Sequence, residues 1–377
     1  SCSVVHDCSP AGGSSDFPCR GMRLQNVAIS VVAEGTGYNT SAGAGAYMGM
    51  GPAIRVSGQN FVLDSVSVTH SGDCGLNVAG ALKLVNTRSG LIRNSRVNYG
   101  CTPFEIDTVR SLIVENCSFL PIVGPDGTGA RDGGVLASFG SPYDASEVVW
   151  KDNQQVDNPK YKCPPLPRGE GCTGHLETLT LDGWLEGGAY TGPLAAADGT
   201  RLTLGRPALM PSISNANGAL IAILNGTGVG QWRRVVTGLN NSADWEIESP
   251  FDVVEPGSSI VSVMPVKARL LLVGNTFVDA AAVQLYGACY DCIVASNQFT
   301  RSGVASRGNY DQEPQPNVRV QFLDNVIERD LDIWTNGQGS PGNLTATGTG
   351  PFAFGVIAQR NSIGQLRERK AERKQRA

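Results

Sequence analysis

Two neighbouring acidic residues in the first third of the chain have the spacing of a candidate acid–base pair. They lie in the stretch Phe-Glu-Ile-Asp. Alternate residues of a β-strand point to the same face, so Glu105 and Asp107 would share an outward face while Phe104 and Ile106 point inward. Arg110 lies a few residues further on. These two carboxylates and this arginine are the candidate catalytic residues of the segment.

A second acidic stretch combines carboxylates with an aromatic ring. The sequence Asp-Leu-Asp-Ile-Trp puts Asp330, Asp332 and Trp334 on one face of a strand. Carboxylates beside an exposed tryptophan suit sugar binding, because the indole ring stacks on the apolar face of a sugar. Gln284 and Tyr286 share a strand face in the same way. For each group the competing interpretation is ordinary solvated strand surface, which is the more frequent situation.

The strands that would carry these residues belong to a repeated phrase. It reads apolar, two residues, Asn or Asp, one residue, apolar, and it recurs around Asn94, Asn116, Asn275, Asn297 and Asn325. The first two of these asparagines are 22 residues apart, and so are the third and fourth. A fixed period in this range indicates stacked repeats that are each too small to bury their own apolar face. β-rich runs flank each asparagine, so the predicted unit is a coil of strands.

The repeated asparagine has a physical role in such a coil. A turn between two strands needs a residue that tolerates the left-handed region of backbone conformation, and Asn does so more readily than other non-glycine residues. If successive coils lie about 4.8 Å apart, equivalent Asn side chains stack and hydrogen-bond along the pile. The five asparagines of the phrase are therefore predicted to form one structural ladder.

The repeat resembles the right-handed parallel β-helix of pectate-lyase-like enzymes and phage tailspikes, over residues 20–158 and 266–362. The predicted fold class is all-β: a right-handed parallel β-helix with a β-rich insertion and a short C-terminal helical tail. In enzymes similar to pectate lyases, carboxylates hold calcium and an Arg or Lys acts as base, so Ca²⁺ is expected only if the chain is a lyase. The short signatures of polygalacturonase-like hydrolases (Asn-Thr-Asp, Asp-Asp, Gly-His-Gly, Arg-Ile-Lys) are absent.

The pattern divides the chain into five segments. Four prolines in residues 159–172 exclude a central strand there, and the β-rich part that follows lacks the repeat and is interpreted as two or three hairpins. The predicted segments are a Cys-rich N-terminal cap at 1–22, a first β-helix block at 23–158, a Pro-rich loop with a β-hairpin insertion at 159–265, a second β-helix block at 266–364, and a basic helical tail at 365–377.

The chain has ten cysteines and three histidines. An even and high cysteine count favours disulfide bonds and an oxidising compartment. A single CxxC motif and few histidines make zinc unlikely to be bound, so no metal site is predicted. The predicted disulfide cysteines are Cys2, Cys8, Cys19, Cys74, Cys101, Cys117, Cys163, Cys172, Cys289 and Cys292.

Five Asn-x-Ser/Thr sequons support an extracellular, N-glycosylated protein. No apolar run approaches the length of a membrane span. The net charge is −4, with six basic and two acidic residues in 365–377, and the body is not basic enough to suggest nucleic-acid binding. The predicted glycosylation sites are Asn39, Asn116, Asn225, Asn240 and Asn343.

The sequence favours a non-enzymatic, structural function and leaves a second class of function as the alternative. The first is a structural subunit of an extracellular filament, appendage or wall layer, because solenoids offer long regular surfaces and strand edges at both ends. Its partners would be copies of itself or other extracellular chains. The second is a carbohydrate-active enzyme, either a polysaccharide lyase or a glycoside hydrolase. A milder form of the second is a non-catalytic glycan-binding module that needs only Trp334, Tyr286 and Gln284.

Overall fold

The computed structural model of the protein describes residues 4–6, 21–31, 52–70, 81–100, 103–122, 145–156, 177–182, 188–210, 215–279, 282–307, 315–329, 344–347 and 353–365. All regular secondary structure in these segments is β-strand, and most of it lies in a parallel β-helix. The predicted helical tail lies outside the described residues, apart from Gln365 at the end of the last strand. The described segments contain no helix long and apolar enough to cross a membrane.

The largest sheet of the solenoid, sheet A, has fourteen strands. Neighbouring strands pair in parallel and in register, as in the pairing of Glu105 with Lys83. In stacking order the strands are Val4–His6 with Arg23–Gln25, Ile54–Gln59 with Val62–Asp64, Leu82–Arg93, Phe104–Glu115, Ala145–Lys151, Lys267–Val273, Cys289–Tyr290 with Ile293–Ala295, Asn317–Val318 with Gln321–Leu323, and Ala353–Phe354 with Ile357–Gln359.

Sheet B has nine parallel strands, and each of them follows a segment of sheet A after a tight corner. These nine strands number the described coils from 1 to 9. In that order they are Ala28–Val31, Ser67–His70, Arg96–Tyr99, Ser118–Pro121, Gln154–Val156, Thr276–Val278, Gln298–Thr300, Val326–Arg329 and Ser362–Gln365.

Sheet C closes the coils on the third side. Its first strand belongs to coil 5 and pairs directly with the strand of coil 6, although 99 residues separate the two. The strands of sheets A and B in the same two coils also pair directly. The intervening segment therefore leaves the stack without interrupting it. The four strands are Glu177–Asp182, Ala282–Tyr286, Gly303–Arg307 and Leu344–Thr347.

The inserted segment folds into a closed antiparallel barrel of six strands. The sequence interpretation of separate hairpins missed this closure, in which the strand at Tyr190 pairs with the strand at Ile260. It also placed Glu177–Asp182 in the insertion, whereas this strand belongs to sheet C. Around the barrel the strands are Tyr190–Asp198, Arg201–Leu204, Asp244–Ile247, Trp232–Thr237, Leu220–Asn225 and Ile260–Met264.

The predicted N-terminal cap contributes one described strand. Val4–His6 pairs in parallel with Ile54–Val56 and so extends sheet A by one position. The rest of the cap up to residue 20 lies outside the described residues. Within the solenoid, inward-facing aromatic rings fill the middle coils: Phe104 lies 4.8 Å from Trp150, and Phe277 stacks on Phe299 at 5.1 Å between ring centroids. The barrel has its own apolar core.

Each described coil turns from sheet A to sheet B through one residue in the left-handed conformation, with φ between 50° and 69°. This exposed position is followed by one whose side chain points into the corner. The left-handed residues of coils 1 to 9 are Asn26, Ser65, Asn94, Asn116, Asp152, Gly274, Ser296, Asp324 and Arg360.

Candidate functional site

The first predicted acidic pair lies on the outer face of sheet A in coil 4. Phe104 and Ile106 are buried in the solenoid at 2% and 1% exposure, as strand alternation requires. Glu105 accepts a hydrogen bond from Lys83 Nζ of the preceding coil at 2.6 Å. Asp107 is in the same strand, but its side chain is outside what the structure describes. The only described partner of Glu105 is thus a basic side chain in the adjacent coil.

The candidate site residues that the structure describes elsewhere are not brought to this pair. Arg110 is partly exposed further along the same strand, next to Arg88 and Ser146 of the neighbouring coils. Asp330, Asp332 and Trp334 lie outside the described residues, and so does the side chain of Tyr286.

Gln284 was predicted to be an exposed ligand contact, and this is wrong. Its exposure is 6%, although Val283 and Leu285 on either side of it are the residues that face the solenoid core. Its Oε1 has no hydrogen-bond partner among the described residues. An outward position is therefore covered at this point of sheet C, and Gln284 cannot contact a ligand from solvent in this structure.

The disulfide prediction is wrong for the three cysteines that the structure describes. Cys117, Cys289 and Cys292 are buried thiols inside the solenoid. Alternation points them into the apolar interior, where each Sγ lies near main-chain carbonyl oxygens, such as Glu115 at 3.3 Å and Gly287 at 3.7 Å. Burial raises the pKa of the Cys117 thiol to about 12, so this thiol is unreactive at neutral pH. The other seven cysteines lie outside the described residues: Cys2, Cys8, Cys19, Cys74, Cys101, Cys163 and Cys172.

The asparagines predicted to form one ladder form two. Asn94 and Asn116 occupy the exposed left-handed position, and Asn116 Nδ2 donates to Asn94 Oδ1 at 2.8 Å. Asn275, Asn297 and Asn325 occupy the next position, which points into the corner and is buried. The prediction failed because the repeated phrase is offset by one residue between the two blocks of coils, and one residue changes the face.

The inner ladder is longer than predicted. In four successive coils the Oδ1 atom of the inner asparagine accepts two hydrogen bonds from the asparagine one coil earlier, one from its backbone N–H and one from its Nδ2, at 2.8–3.2 Å. These acceptors are Asn275, Asn297, Asn325 and Asn361. Each Nδ2 also donates to a strand carbonyl, for example Asn297 to Leu272 at 3.1 Å. Asn153 and Asn361 extend the ladder at its two ends. In the sequence each of them directly follows the left-handed residue of its coil, Asp152 or Arg360.

Three of the predicted glycosylation sites are described. Asn225 is exposed at the end of the barrel strand Leu220–Asn225, and its Oδ1 accepts a hydrogen bond from the N–H of Gly226 at 2.8 Å. The Nδ2 atoms of Asn116 and Asn240 donate to Asn94 Oδ1 and to the Met210 carbonyl, at 2.8 and 3.0 Å. Asn225 is therefore the most accessible described sequon. Asn39 and Asn343 lie outside the described residues.

Sequence reasoning missed a row of apolar residues on the outer face of sheet A. One outward position of sheet A is aliphatic in six successive coils, 2 to 7, and the six residues are neighbours in register. Their exposure ranges from partial to 40%, the value for Ile113. At about 4.8 Å per coil the row is about 24 Å long. This apolar stripe consists of Val62, Leu91, Ile113, Val149, Leu271 and Ile293.

A sequence signal for the apolar stripe did exist. A strand with one buried face alternates apolar and polar residues, whereas these strands have three apolar residues in a row, as in Leu112-Ile113-Val114, Val148-Val149-Trp150 and Leu270-Leu271-Leu272. Uninterrupted apolar runs are typical of strands covered on both faces. In this structure one of those two faces is the outer surface of the solenoid.

A column of alternating charge borders the apolar stripe in coils 2 to 5. The column consists of Asp64, Arg93, Glu115 and Lys151, which are neighbours in register. Arg93 Nη2 donates to Asp64 Oδ2 at 2.9 Å. This hydrogen bond, together with one from Asn94, holds the pKa of Asp64 below its usual value. Arg93 and Lys151 keep 40% and 49% of their side-chain surface exposed.

The barrel is fixed to sheet A in coils 6 to 8, beside the other half of the stripe. Tyr290 of coil 7 packs edge-on against Trp232 of the barrel, 5.5 Å between ring centroids, and its hydroxyl donates to the Gly230 carbonyl. The Arg319 guanidinium lies 4.6 Å from the centre of the Tyr290 ring and is paired with Asp291. Burial raises the pKa of Tyr290 to about 12. The barrel therefore borders the stripe beyond coil 5, and in coils 2 to 5 the stripe keeps a partial exposure that reaches 40% at Ile113.

No described group of three or more His, Cys, Asp or Glu side chains has a geometry that could hold a metal ion.

No protein-family model matches the sequence, and no curated protein matches it. Among solved structures, the chain is similar to the catalytic unit of a thermostable GH87 α-1,3-glucanase from Streptomyces thermodiastaticus strain HF3-3, with a TM-score of 0.31 and 10% sequence identity. The match covers 83% of this chain and 53% of that chain, so the chain spans about half the length of the enzyme it matches. A likeness at this level has no bearing on activity.

Proposed function

We propose that this protein is a structural subunit of an extracellular assembly, and that it docks against other protein chains through the outer face of sheet A. The observation that supports the proposal is the apolar stripe. Contiguous apolar surface on a soluble protein marks a site that another molecule covers. A row of aliphatic side chains on a flat sheet suits another protein surface, because its contact is long and regular.

The rest of the solenoid suits a structural role. The inner asparagine ladder ties coils 5 to 9 to one another with paired hydrogen bonds in every coil. The barrel is attached through a packed aromatic contact and the hydrogen bond from Tyr290 to Gly230. Buried hydrogen-bonded networks of this kind rigidify the structure that contains them. A rigid surface loses little entropy when it binds.

The extracellular location is part of the proposal and rests on sequence. Because Cys117, Cys289 and Cys292 are buried thiols, these three cysteines do not support an oxidising compartment. The sequons and the seven remaining cysteines still favour an oxidising, glycosylating compartment. Asn225 is the site at which we expect an N-glycan.

The test is the mass of the purified chain by size-exclusion chromatography with light scattering over a concentration series. We expect species heavier than the 39.6 kDa chain. Ile113→Asp should abolish them, because a carboxylate in the middle of the stripe would be buried without a partner. Val326→Asp is the matched control, since Val326 is 42% exposed on sheet B and Ile113 is 40% exposed on sheet A. A wild-type chain that stays monomeric, or an Ile113→Asp variant that assembles normally, would contradict the proposal.

A carbohydrate-directed function is the second candidate, and one observation favours it. The Lys83–Glu105 ion pair places an ammonium group and a carboxylate 2.6 Å apart on an outer face, next to the strand position of Asp107. Incubation of the chain with acidic and neutral polysaccharides, with and without Ca²⁺, tests this function. Product release that Glu105→Gln abolishes would support it, and no release from any polymer would count against it.

A further inference from the structure

The apolar stripe and its charge column together specify a partner. From coil 2 to coil 5 the column reads negative, positive, negative, positive, at Asp64, Arg93, Glu115 and Lys151. When a row of four alternating charges is reversed, each position receives the opposite sign. If a second copy is rotated so that its coils run in the opposite direction and its sheet A faces the first copy, opposite charges therefore meet at all four positions.

We propose that this face binds a second copy of the chain in an antiparallel arrangement, about a two-fold axis that runs along the strands between coils 3 and 4. This inference rests on the proposed function and adds the identity of the partner. In such an isologous contact the same residues meet from both sides. Leu91 of each copy packs on Ile113 of the other, and Arg93 of each copy meets Glu115 of the other.

The central contacts are available in the single chain. Ile113 is 40% exposed, and Arg93 keeps 40% of its side-chain surface. Glu115 is partly exposed. Asp64 is 7% exposed and already paired with Arg93, so the outer pair with Lys151 contributes less. The aliphatic stripe supplies most of the contact energy, and the charge column selects the orientation.

The position of the barrel is compatible with this arrangement. With the axis between coils 3 and 4, coil 1 of one copy faces coil 6 of the other. The barrel contacts sheet A at Ala268, Tyr290 and Val318 in coils 6 to 8. These contacts therefore lie opposite coil 1 of the other copy or beyond it. The alternative is a two-fold axis that runs along the stripe, with the two solenoids pointing in the same direction. In that arrangement the charge columns of the two copies would lie on opposite sides of the stripe and would not meet.

Charge reversal tests the orientation. Arg93→Glu and Glu115→Arg each place like charges opposite one another at both symmetric contacts, and we expect each variant alone to dimerise about a hundredfold more weakly. An equimolar mixture of the two should form heterodimers, because opposite charges then face one another at both contacts. The double variant should dimerise with itself. Circular dichroism melting of each variant shows whether it is folded.

Thiol crosslinking gives a second readout that leaves the charges intact. Face-to-face sheets lie about 10 Å apart, too far for a disulfide, so a short bismaleimide crosslinker is used. It should join copies with Val62→Cys to copies with Val149→Cys, because these positions face each other across the axis. Two copies of the same variant place their cysteines three coils apart and should be joined far less. If Ile113→Asp abolishes association but neither mixture gives heterodimers, the stripe is a docking surface and the antiparallel pairing is overturned. If Ile113→Asp leaves association unchanged, both this inference and the proposed function fail.

Discussion

Coils 3 and 4 close the corner between sheets A and B in a different way from coils 5 to 9. In coils 3 and 4 the corner asparagines, Asn94 and Asn116, lie on the outside and hydrogen-bond to each other in solvent. In coils 5 to 9 the asparagine moves one residue along the chain and its carboxamide is buried, as at Asn275 and Asn297. Coil 5 carries both the first inner asparagine, Asn153, and the buried ring of Trp150.

This difference shows that one repeated residue type can serve two physical purposes. At the exposed position Asn is present because it tolerates a φ near 50°. At the buried position Asn is present because its carboxamide can donate and accept hydrogen bonds at the same time. It therefore satisfies backbone groups that the corner would leave unpaired. A substitution should therefore cost much more in the inner ladder than in the outer one.

The largest expected effect is in the aromatic interior of the first block. Trp150 is 1% exposed and packs against Phe104 and Phe119 at 4.8 and 5.4 Å between ring centroids. Trp150→Ala should lower the free energy of unfolding by about 4 kcal/mol, because it leaves a large cavity. Urea denaturation followed by circular dichroism measures this.

Trp150→Phe is the control for that prediction. The Nε1 atom of Trp150 has no hydrogen-bond partner among the described residues, so its loss costs little. We expect the phenylalanine variant to lose less than half of the alanine effect. Equal losses for the two variants would show that the indole nitrogen, and not the packed volume, stabilises these coils.

The inner ladder should give the next largest effect. Asn297→Ala removes the acceptor for two donors of Asn275 and leaves the Leu272 carbonyl without its side-chain donor. We expect a loss of about 3 kcal/mol in the same denaturation experiment, because buried groups remain unsatisfied. A loss close to that of the outer-ladder variant described below would remove the distinction between the two ladders.

The contact between barrel and solenoid should respond to pH. Because the pKa of Tyr290 is raised to about 12, its neutral form is favoured in the folded state. Its contribution is fully present below the unfolded value of 10.0 and is lost as pH rises through about 12. Tyr290→Phe should remove this alkaline loss and cost about 1 kcal/mol at pH 7, because the hydrogen bond to Gly230 is lost. Thermal melting between pH 7 and about 12 measures both effects, and identical pH profiles for wild type and variant would refute the assignment.

The smallest effect is expected in the outer ladder. Asn116→Gly keeps a residue that adopts positive φ without strain and removes one exposed hydrogen bond to Asn94. We expect a loss of about 0.5 kcal/mol. A loss of several kcal/mol would mean that the exposed asparagines also hold the coils together.

The fold was predictable from sequence because a stacked solenoid repeats its signals. The recurring asparagine phrase and the strand-like runs predicted the parallel β-helix and the position of the insertion. The barrel could not be predicted in detail, because strand pairing inside an insertion depends on contacts between segments as distant as Tyr190 and Val263. Whether Cys289 and Cys292 form disulfides or remain thiols depends on their burial, which the CxxC spacing alone does not indicate.

The candidate site was only partly predictable. Alternation correctly turned Phe104 and Ile106 inward, but it could not show that Gln284 is covered. The apolar stripe escaped notice because each apolar triplet resembles an ordinary buried strand. Its continuity becomes visible only when the register joins Ile113 to Val149 across 36 residues.

The most direct test of the docking surface is site-specific photo-crosslinking. A photoreactive phenylalanine analogue replaces Ile113 in one preparation and the equally exposed Val326 in another, and each protein is irradiated and examined by denaturing electrophoresis and mass spectrometry. We expect a covalent product of twice the chain mass from position 113 and none from position 326. Crosslinks from position 326 alone, or from neither position, would show that sheet A is not the surface through which this protein assembles.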